Sequence, residues 1–334
     1  MSTQQPFVDL GEIERARTAI AGSVRTTPVN DSPSLSDLAG VPVHLKLEQT
    51  QLTGSFKLRG ATNAVVSLSD DEKRRGVVGV STGNHGRGLA YAAKAAGVKC
   101  IICMSRLVPQ AKIDGIKAQG AEVRIVGSSQ DEAQEEVDRL VSEDGMTMIP
   151  PFDHRAVIAG QGTLGLELLE QVPDVATVLV QLSGGGLISG VAAAIKARRP
   201  DVRIIGISME RGAAMYACLK AGKPILVEEL ATLADSLGGG IGLENQLTFA
   251  MTRDLVDDVI LVSETEIAAA VRHIYWQERQ IVEGSGSVGV AALMAGKIKS
   301  AGPVAAILSG GNIDMQQHFR IISGEDVDVT KEVA

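Results

Sequence analysis

Short apolar runs, each followed by a glycine-rich turn and then a helical pattern, recur along the chain. Residues 77–80 read as a strand and 81–86 as the turn. A helix over 87–96 follows, leading to a second strand at 98–104. That is a βαβ unit, for which a right-handed crossover is expected. Residues 111–119 have a helical pattern capped by Gly120, 121–126 read as the next strand, and 132–143 as a charged amphipathic helix. Further on, 177–182 read as a strand, followed by Ser183-Gly184-Gly185-Gly186 and a helix through Arg198. Residues 202–208 and 304–308 are further strands, the last ending in Ser309-Gly310-Gly311-Asn312. Strands alternating with helices predict an α/β fold with parallel sheets flanked by helices. Pro150-Pro151 marks a crossover between two lobes, and the acidic end from Gly324 reads as a loosely held tail.

Composition narrows the picture. The 334 residues are 45% hydrophobic but only 3% aromatic, with 37 glycines. The core must therefore be built of Ala, Val, Ile and Leu, as in sheets buried on both faces. A net charge of −8 with mixed signs argues against nucleic acid as a partner. No apolar run is long enough to span a bilayer, and residues 1–9 lack the basic and apolar regions of a signal peptide. Three cysteines, Cys100, Cys103 and Cys218, fit a reducing cytoplasm. Cys100 and Cys103 fall on one strand, where residues three apart face opposite ways, so they read as core rather than as a chelator or a disulfide.

The chemistry begins at Lys57, in Gly54-Ser55-Phe56-Lys57-Leu58-Arg59-Gly60-Ala61. An ammonium held among apolar groups loses hydration, and its neutral amine can form a Schiff base with an aldehyde. The alternative is a lysine that snorkels from a helix start. Ser183-Gly184-Gly185-Gly186-Leu187 can converge backbone N–H groups at a helix N-terminus, as a cradle for a single phosphate; it can equally be a tight turn. It has neither the dinucleotide glycine spacing nor the Lys-Ser/Thr of a P-loop, which disfavours a nucleotide-binding dehydrogenase. Ser81-Thr82-Gly83-Asn84-His85 can bind a carboxylate or simply cap a helix. Ser309 places a hydroxyl, or only a turn, at a strand end.

A Schiff-base lysine, a monophosphate cradle, a carboxylate loop and a hydroxyl acceptor together match pyridoxal 5′-phosphate. The chain resembles the fold-type II pyridoxal-phosphate family of threonine dehydratases, serine racemases and hydroxyaspartate dehydratases. The likeness runs from about Ile13 to Ile322. It rests on Gln51-Leu52-Thr53-Gly54-Ser55-Phe56-Lys57, Gly83-Asn84-His85-Gly86, Ile158-Ala159-Gly160-Gln161-Gly162-Thr163, Ser183 to Leu187, Val282-Glu283 and Leu308 to Asn312. The branch it is most similar to is that of β-hydroxyaspartate dehydratases or hydroxyectoine-utilisation dehydratases. The resemblance implies a large cofactor-binding domain at 1–74 and 151–324, a smaller, mobile domain at 75–150, a tail at 325–334, and a homodimer.

It also implies roles. Lys57 is the Schiff-base lysine and, once freed, the base that removes the substrate α-proton. Phe56 packs beside the ring, and Asn84 bonds its phenolic oxygen. The N–H groups of Gly184, Gly185, Gly186 and Leu187 hold the phosphate, and Ser309 faces the pyridine nitrogen. A serine there leaves that nitrogen largely unprotonated, which favours expelling a β-substituent over transamination. Ser81, Thr82 and His85 hold the α-carboxylate, Glu283 lines the crevice or has a structural partner, and Ser236 faces the substrate. The implied reaction is dehydration and deamination of a β-hydroxy amino acid. The alternatives are threonine or serine dehydration, racemisation with Thr82 as a second base, and a non-catalytic cofactor-binding regulator. Arg87 stands at a helix N-terminus, where a cation opposes the dipole. It either reads the distal carboxylate of a 3-hydroxyaspartate-like substrate or faces solvent. No metal is assigned, because the acid expected near Glu210 and Ala214 is Tyr216.

Overall fold

The computed structural model describes residues 7–325 except 82, 107 and 109, together with 327 and 329. Its strands are β1 Val29–Asp31, β2 Val43–Lys46, β3 Val77–Val80, β4 Cys100–Met104, β5 Glu122–Ile125, β6 Thr147–Met148, β7 Thr177–Gln181, β8 Arg203–Met209, β9 Asp258–Val262 and β10 Val304–Ile307. They form a six-stranded sheet in the order β1-β2-β10-β7-β8-β9 and a four-stranded sheet in the order β5-β4-β3-β6. Among the described strand pairings of these sheets, only β1–β2 is antiparallel. The α/β reading with parallel, helix-flanked sheets therefore holds.

The apolar runs are explained by burial on both faces. In the larger sheet Leu179 and Ala306 enter one core, whereas Val178, Val180, Ala305 and Ile307 enter the other. The smaller sheet divides likewise. Cys100 and Ile102 pack on one side, Ile101 and Cys103 on the other. The two thiols thus face apart, and burial pushes them up to about 12 and about 11, keeping both protonated. The edge strand β5 carries Glu122 and Arg124 instead, as exposed edges do.

The smaller sheet does not close its core with its own helices alone. Ala61, Ala64 and Val65 of helix Lys57–Val66 and Val157 of helix Arg155–Gln171 complete it. The helix expected to begin at Arg87 begins at Asn84 and runs to Ala95, so the polar turn after β3 is already helical. The tail also differs from expectation. Val327 and Val329 are each 9% exposed and join the core containing Val271, Ile274 and Ile321. The rest of 326–334 lies outside the described residues.

Candidate active site

Each sheet has one place where the chain leaves neighbouring strands in opposite directions. In the larger sheet it lies between β7, which continues through helix Gly186–Arg198 to β8, and β10. In the smaller sheet it lies between β3, which continues through helix Asn84–Ala95 to β4, and β6. Ligands of open α/β sheets bind outside the carboxyl ends of strands at such points. Here the loops after β3, β6, β7 and β10 line one crevice of about 210 Å³.

Lys57 is the first residue of its helix and reaches into this crevice. Its Nζ donates to Pro151 O at 2.7 Å and lies 5.4 Å from the centre of the Phe56 ring. Burial lowers its pKa to about 8, with Glu283 pulling the other way. The neutral amine is therefore within reach near neutral pH.

Across the crevice the 183–187 loop leads into helix Gly186–Arg198. Gly185 has φ 88°, and a Cβ on Gly184 would sit 2.3 Å from the Phe152 ring. Only glycine suits these positions. The first N–H to bond back along the chain is that of Ser189, to Gly185 O at 2.9 Å. The preceding donors thus converge on open space at the positive end of the helix, which suits a small anion. Asn84 and Glu283 form the crevice's inner wall. Asn84 Nδ2 donates to Glu283 Oε1 at 2.7 Å, and Asn84 Oδ1 accepts from Asn312 Nδ2 at 2.6 Å. Burial and Asp235 raise Glu283 to about 7. Ser309 is buried at the crevice end of β10, and its carbonyl accepts from Phe56 N at 3.0 Å. The Oγ of Ser285 and the Oε1 of Gln181, both in crevice-lining residues, are buried without a partner.

A lysine of lowered pKa, a backbone anion cradle and unsatisfied side-chain oxygens in the crevice lining fit pyridoxal phosphate. A model of the pyridoxal-phosphate dependent enzyme family matches residues 20–310. The chain belongs to that family. Pyridoxal phosphate is its cofactor. The chain is 59% identical over 318 residues to a Sinorhizobium fredii protein named "Putative threonine dehydratase", covering 95% of this chain and 96% of that one. It is 41% identical to the L-threonine ammonia-lyase of Thermotoga maritima, covering 95% of this chain and 79% of the relative. Among solved structures, maize serine racemase superposes with a TM-score of 0.90 at 37% identity, covering 95% and 98% of the two chains.

Within this family site the other expected residues divide. Phe56, Lys57, Asn84, Gly184, Gly185, Gly186, Leu187, Glu283, Ser309, Ser81, His85 and Ser236 all line the crevice. Two of them have contacts of their own. Ser81 Oγ accepts from Gly86 N at 2.9 Å and Gly83 N at 3.3 Å, which caps the helix and leaves its O–H able to donate. The His85 ring is 2.8 Å from Ile149 O through Nε2. Burial and the Lys57 charge push it down to about 3, so it is uncharged. What these residues can offer a carboxylate is the helix N-terminus, not a cation. Thr82 lies outside the described residues. Ser236 is exposed at the rim, with Oγ 3.4 Å from Asp235 Oδ1.

Arg87 faces an adjoining cavity of about 510 Å³ that shares Lys112, Asp235 and Glu283 with the crevice. It is half-buried, and its Nη1 lies 3.2 Å from Asn312 Oδ1. Burial lowers its pKa, and among the described residues no carboxylate lies within ion-pair distance of it. Sequence reasoning missed Pro151, Gln181, Ser285 and Lys112. A main-chain acceptor, two residues within buried apolar elements and one lysine on a surface helix carry no motif. Glu210, near the expected cation position, is 4.0 Å from Lys297. Among the described residues no group of three or more His, Cys, Asp or Glu is placed to hold a metal.

Proposed function

We propose that the protein removes water from a β-hydroxy amino acid by β-elimination, giving an imine that hydrolyses to a keto acid and ammonia. The observation that carries this is Lys57, a buried amine of lowered pKa held by a carbonyl in the crevice. Pyridoxal phosphate supplies an aldehyde for amine capture and an electron sink beside the α-carbon. Pro151 O, which accepts from Lys57 Nζ at 2.7 Å, would keep a free Lys57 amine from swinging away. The amine's nitrogen lone pair accepts the α-proton. The electrons of that C–H bond form the carbon–carbon double bond, and the β-hydroxyl leaves as water with the proton that Lys57 Nζ has accepted. The resulting enamine tautomerises, and a second water releases ammonia. The N–H groups of 184–187 would hold the phosphate, the helix at Asn84 would receive the α-carboxylate, and Ser309 would give the ring a neutral partner.

The substrate best supported is acidic, 3-hydroxyaspartate or similar. The support is Arg87, half-buried and, among the described residues, without an ion-pair partner; Lys112, which lines both cavities, is already paired with Asp235 Oδ2 at 2.9 Å. Ammonia and keto-acid release from a panel of β-hydroxy amino acids in both stereochemical series tests the reaction. Arg87→Gln tests the substrate. A lost charge-assisted bond is worth about 1.5–3 kcal/mol, so KM for hydroxyaspartate should rise about tenfold or more while serine changes little. Equal losses on both would sink the acidic substrate. The likeness to serine racemase supports a second reading, racemisation, which a chiral assay of recovered substrate would detect. A cytoplasmic homodimer completes the proposal. Its support is the exposed Met315, Phe319 and Trp276, with Trp276 Nε1 tied to Ile322 O at 3.1 Å; light scattering checks it.

A further inference from the structure

Behind the crevice four charged side chains are sealed in the core. Lys46, Glu48 and Arg59 are 0% exposed, and Glu167 is 7% exposed. Arg59 donates Nε and Nη2 to the two oxygens of Glu48, each at 2.8 Å. It donates Nη1 and Nη2 to those of Glu167 at 2.6 and 2.8 Å. Both pairings are bidentate, the geometry that fixes a guanidinium in orientation as well as in place. Lys46 Nζ closes the set on Glu167 at 2.8 Å. Two cations and two anions leave the tetrad formally neutral.

Stability alone is a poor reason for such a cluster, because desolvation of buried charges largely offsets their attraction. Its position is more telling. Arg59 lies two residues after Lys57, in the first turn of the same helix. At 3.6 residues per turn, two residues are roughly 200° apart round the axis. Arg59 therefore points into the core when Lys57 points into the crevice. Its partners lie on separate elements, Glu48 on the turn after β2 and Glu167 on helix Arg155–Gln171. That second helix also presses on the first, since a Cβ on Gly160 would come within 2.6 Å of Arg59 O.

We propose that the Lys46–Glu48–Arg59–Glu167 tetrad is the positioning device of Lys57, holding the rotation of its helix so that Nζ meets the reacting atoms. Arg59 is a positioning residue, since it touches neither substrate nor cofactor. The inference rests on Lys57 being the Schiff-base lysine, and the test separates the two. Lys57→Ala, reduced with borohydride and mapped by peptide, should lose the cofactor label; retention of the label there would overturn the Schiff-base reading itself. The tetrad is tested in the holoenzyme by Arg59→Lys and by the charge-balanced pair Glu48→Gln with Arg59→Met, which leaves Lys46 and Glu167 to neutralise each other. A displacement of about 1 Å can cost about a hundredfold in rate. The pair variant should keep its far-UV circular dichroism, lose about 10- to 100-fold in kcat with KM within about threefold, and show a smaller fraction of cofactor fixed on residue 57. Arg59→Lys should recover part of each loss. A folded pair variant with parental kcat and parental labelling would overturn the proposal. If the pair variant does not fold, Arg59→Lys decides alone, and parental kcat and labelling in it would overturn the proposal equally.

Discussion

Glu283 shows how one residue can be legible in type and illegible in function. The sequence reading left open whether it lines the crevice or has a structural partner, and it does both. Its carboxylate accepts from Asn84 Nδ2 at 2.7 Å and Asn312 N at 3.2 Å while facing the crevice. Burial raises it from 4.5 to about 7. Below the ordinary value both the folded and unfolded chains hold the proton, and nothing is contributed. Between there and about 7 the unfolded chain releases it first, so stability falls as pH rises, by on the order of 3 kcal/mol in all. Lys57, lowered to about 8, works the other way above that pH. Folded, it releases its proton before the unfolded chain does, so stability recovers toward pH 10. His85, pushed down to about 3 in the fold, opposes this over much of the same range, because the unfolded chain keeps the imidazole proton up to about 6.5. The Glu283 contribution is therefore read as a difference: the Tm of cofactor-free Glu283→Gln, which has no proton to lose, should climb relative to the parent between pH 5 and 7. A Tm difference between variant and parent that stays constant from pH 5 to 7 would refute the account.

At the scale of elements, the strands with an apolar run and a glycine turn after them were legible, because burial on both faces leaves that signature. β1, β2, β6 and β9 were not, β2 because its four residues interleave His44 and Lys46 with Val43 and Leu45. β1 and β6 are two and three residues long in reverse order, too short for any period, and β9 is half-buried with Asp258 at its head. The helix at Asn84 was read three residues late because its first turn is Asn84-His85-Gly86, whose composition says turn. The phosphate loop was legible as a glycine run, but not the reason for its second glycine. The Phe152 ring occupies the place of a Gly184 side chain, so the loop after β6 shapes the cradle after β7. Gly184→Ala must displace one or the other. Overpacking of this kind costs about 1–3 kcal/mol, which corresponds to a fall of roughly 5- to 150-fold in cofactor affinity. Absorbance titration of the variant with pyridoxal phosphate measures it. Unchanged affinity would mean that Phe152 yields freely and does not set the cradle.

At the scale of the whole molecule, the crevice exists because two sheets aim their carboxyl ends at each other, and pairing between distant segments is what one sequence reveals least. β10 sits between β2 and β7, bringing residues 43–46 and 177–181 onto either side of 304–307. No local pattern announces that order. The same blindness produced the expectation of a loose tail, since an acidic stretch looks detached until its valines are seen to have a place. Val327 and Val329 enter the core of the larger sheet, and Glu325 O accepts from Arg272 Nη2 at 2.8 Å. Burying each valine is worth about 1.5 kcal/mol or more, and Arg272 would lose an acceptor. Truncation after Gly324 should therefore cost about 3 kcal/mol, or a drop of several degrees in Tm for a chain of this size. The crevice residues are untouched by that cut, so cofactor absorbance at low temperature should stay at the parental level. A Tm within one degree of the full chain would return the segment to the status of a tail, whereas loss of the cofactor band would mean that the larger sheet cannot hold its strand order without it.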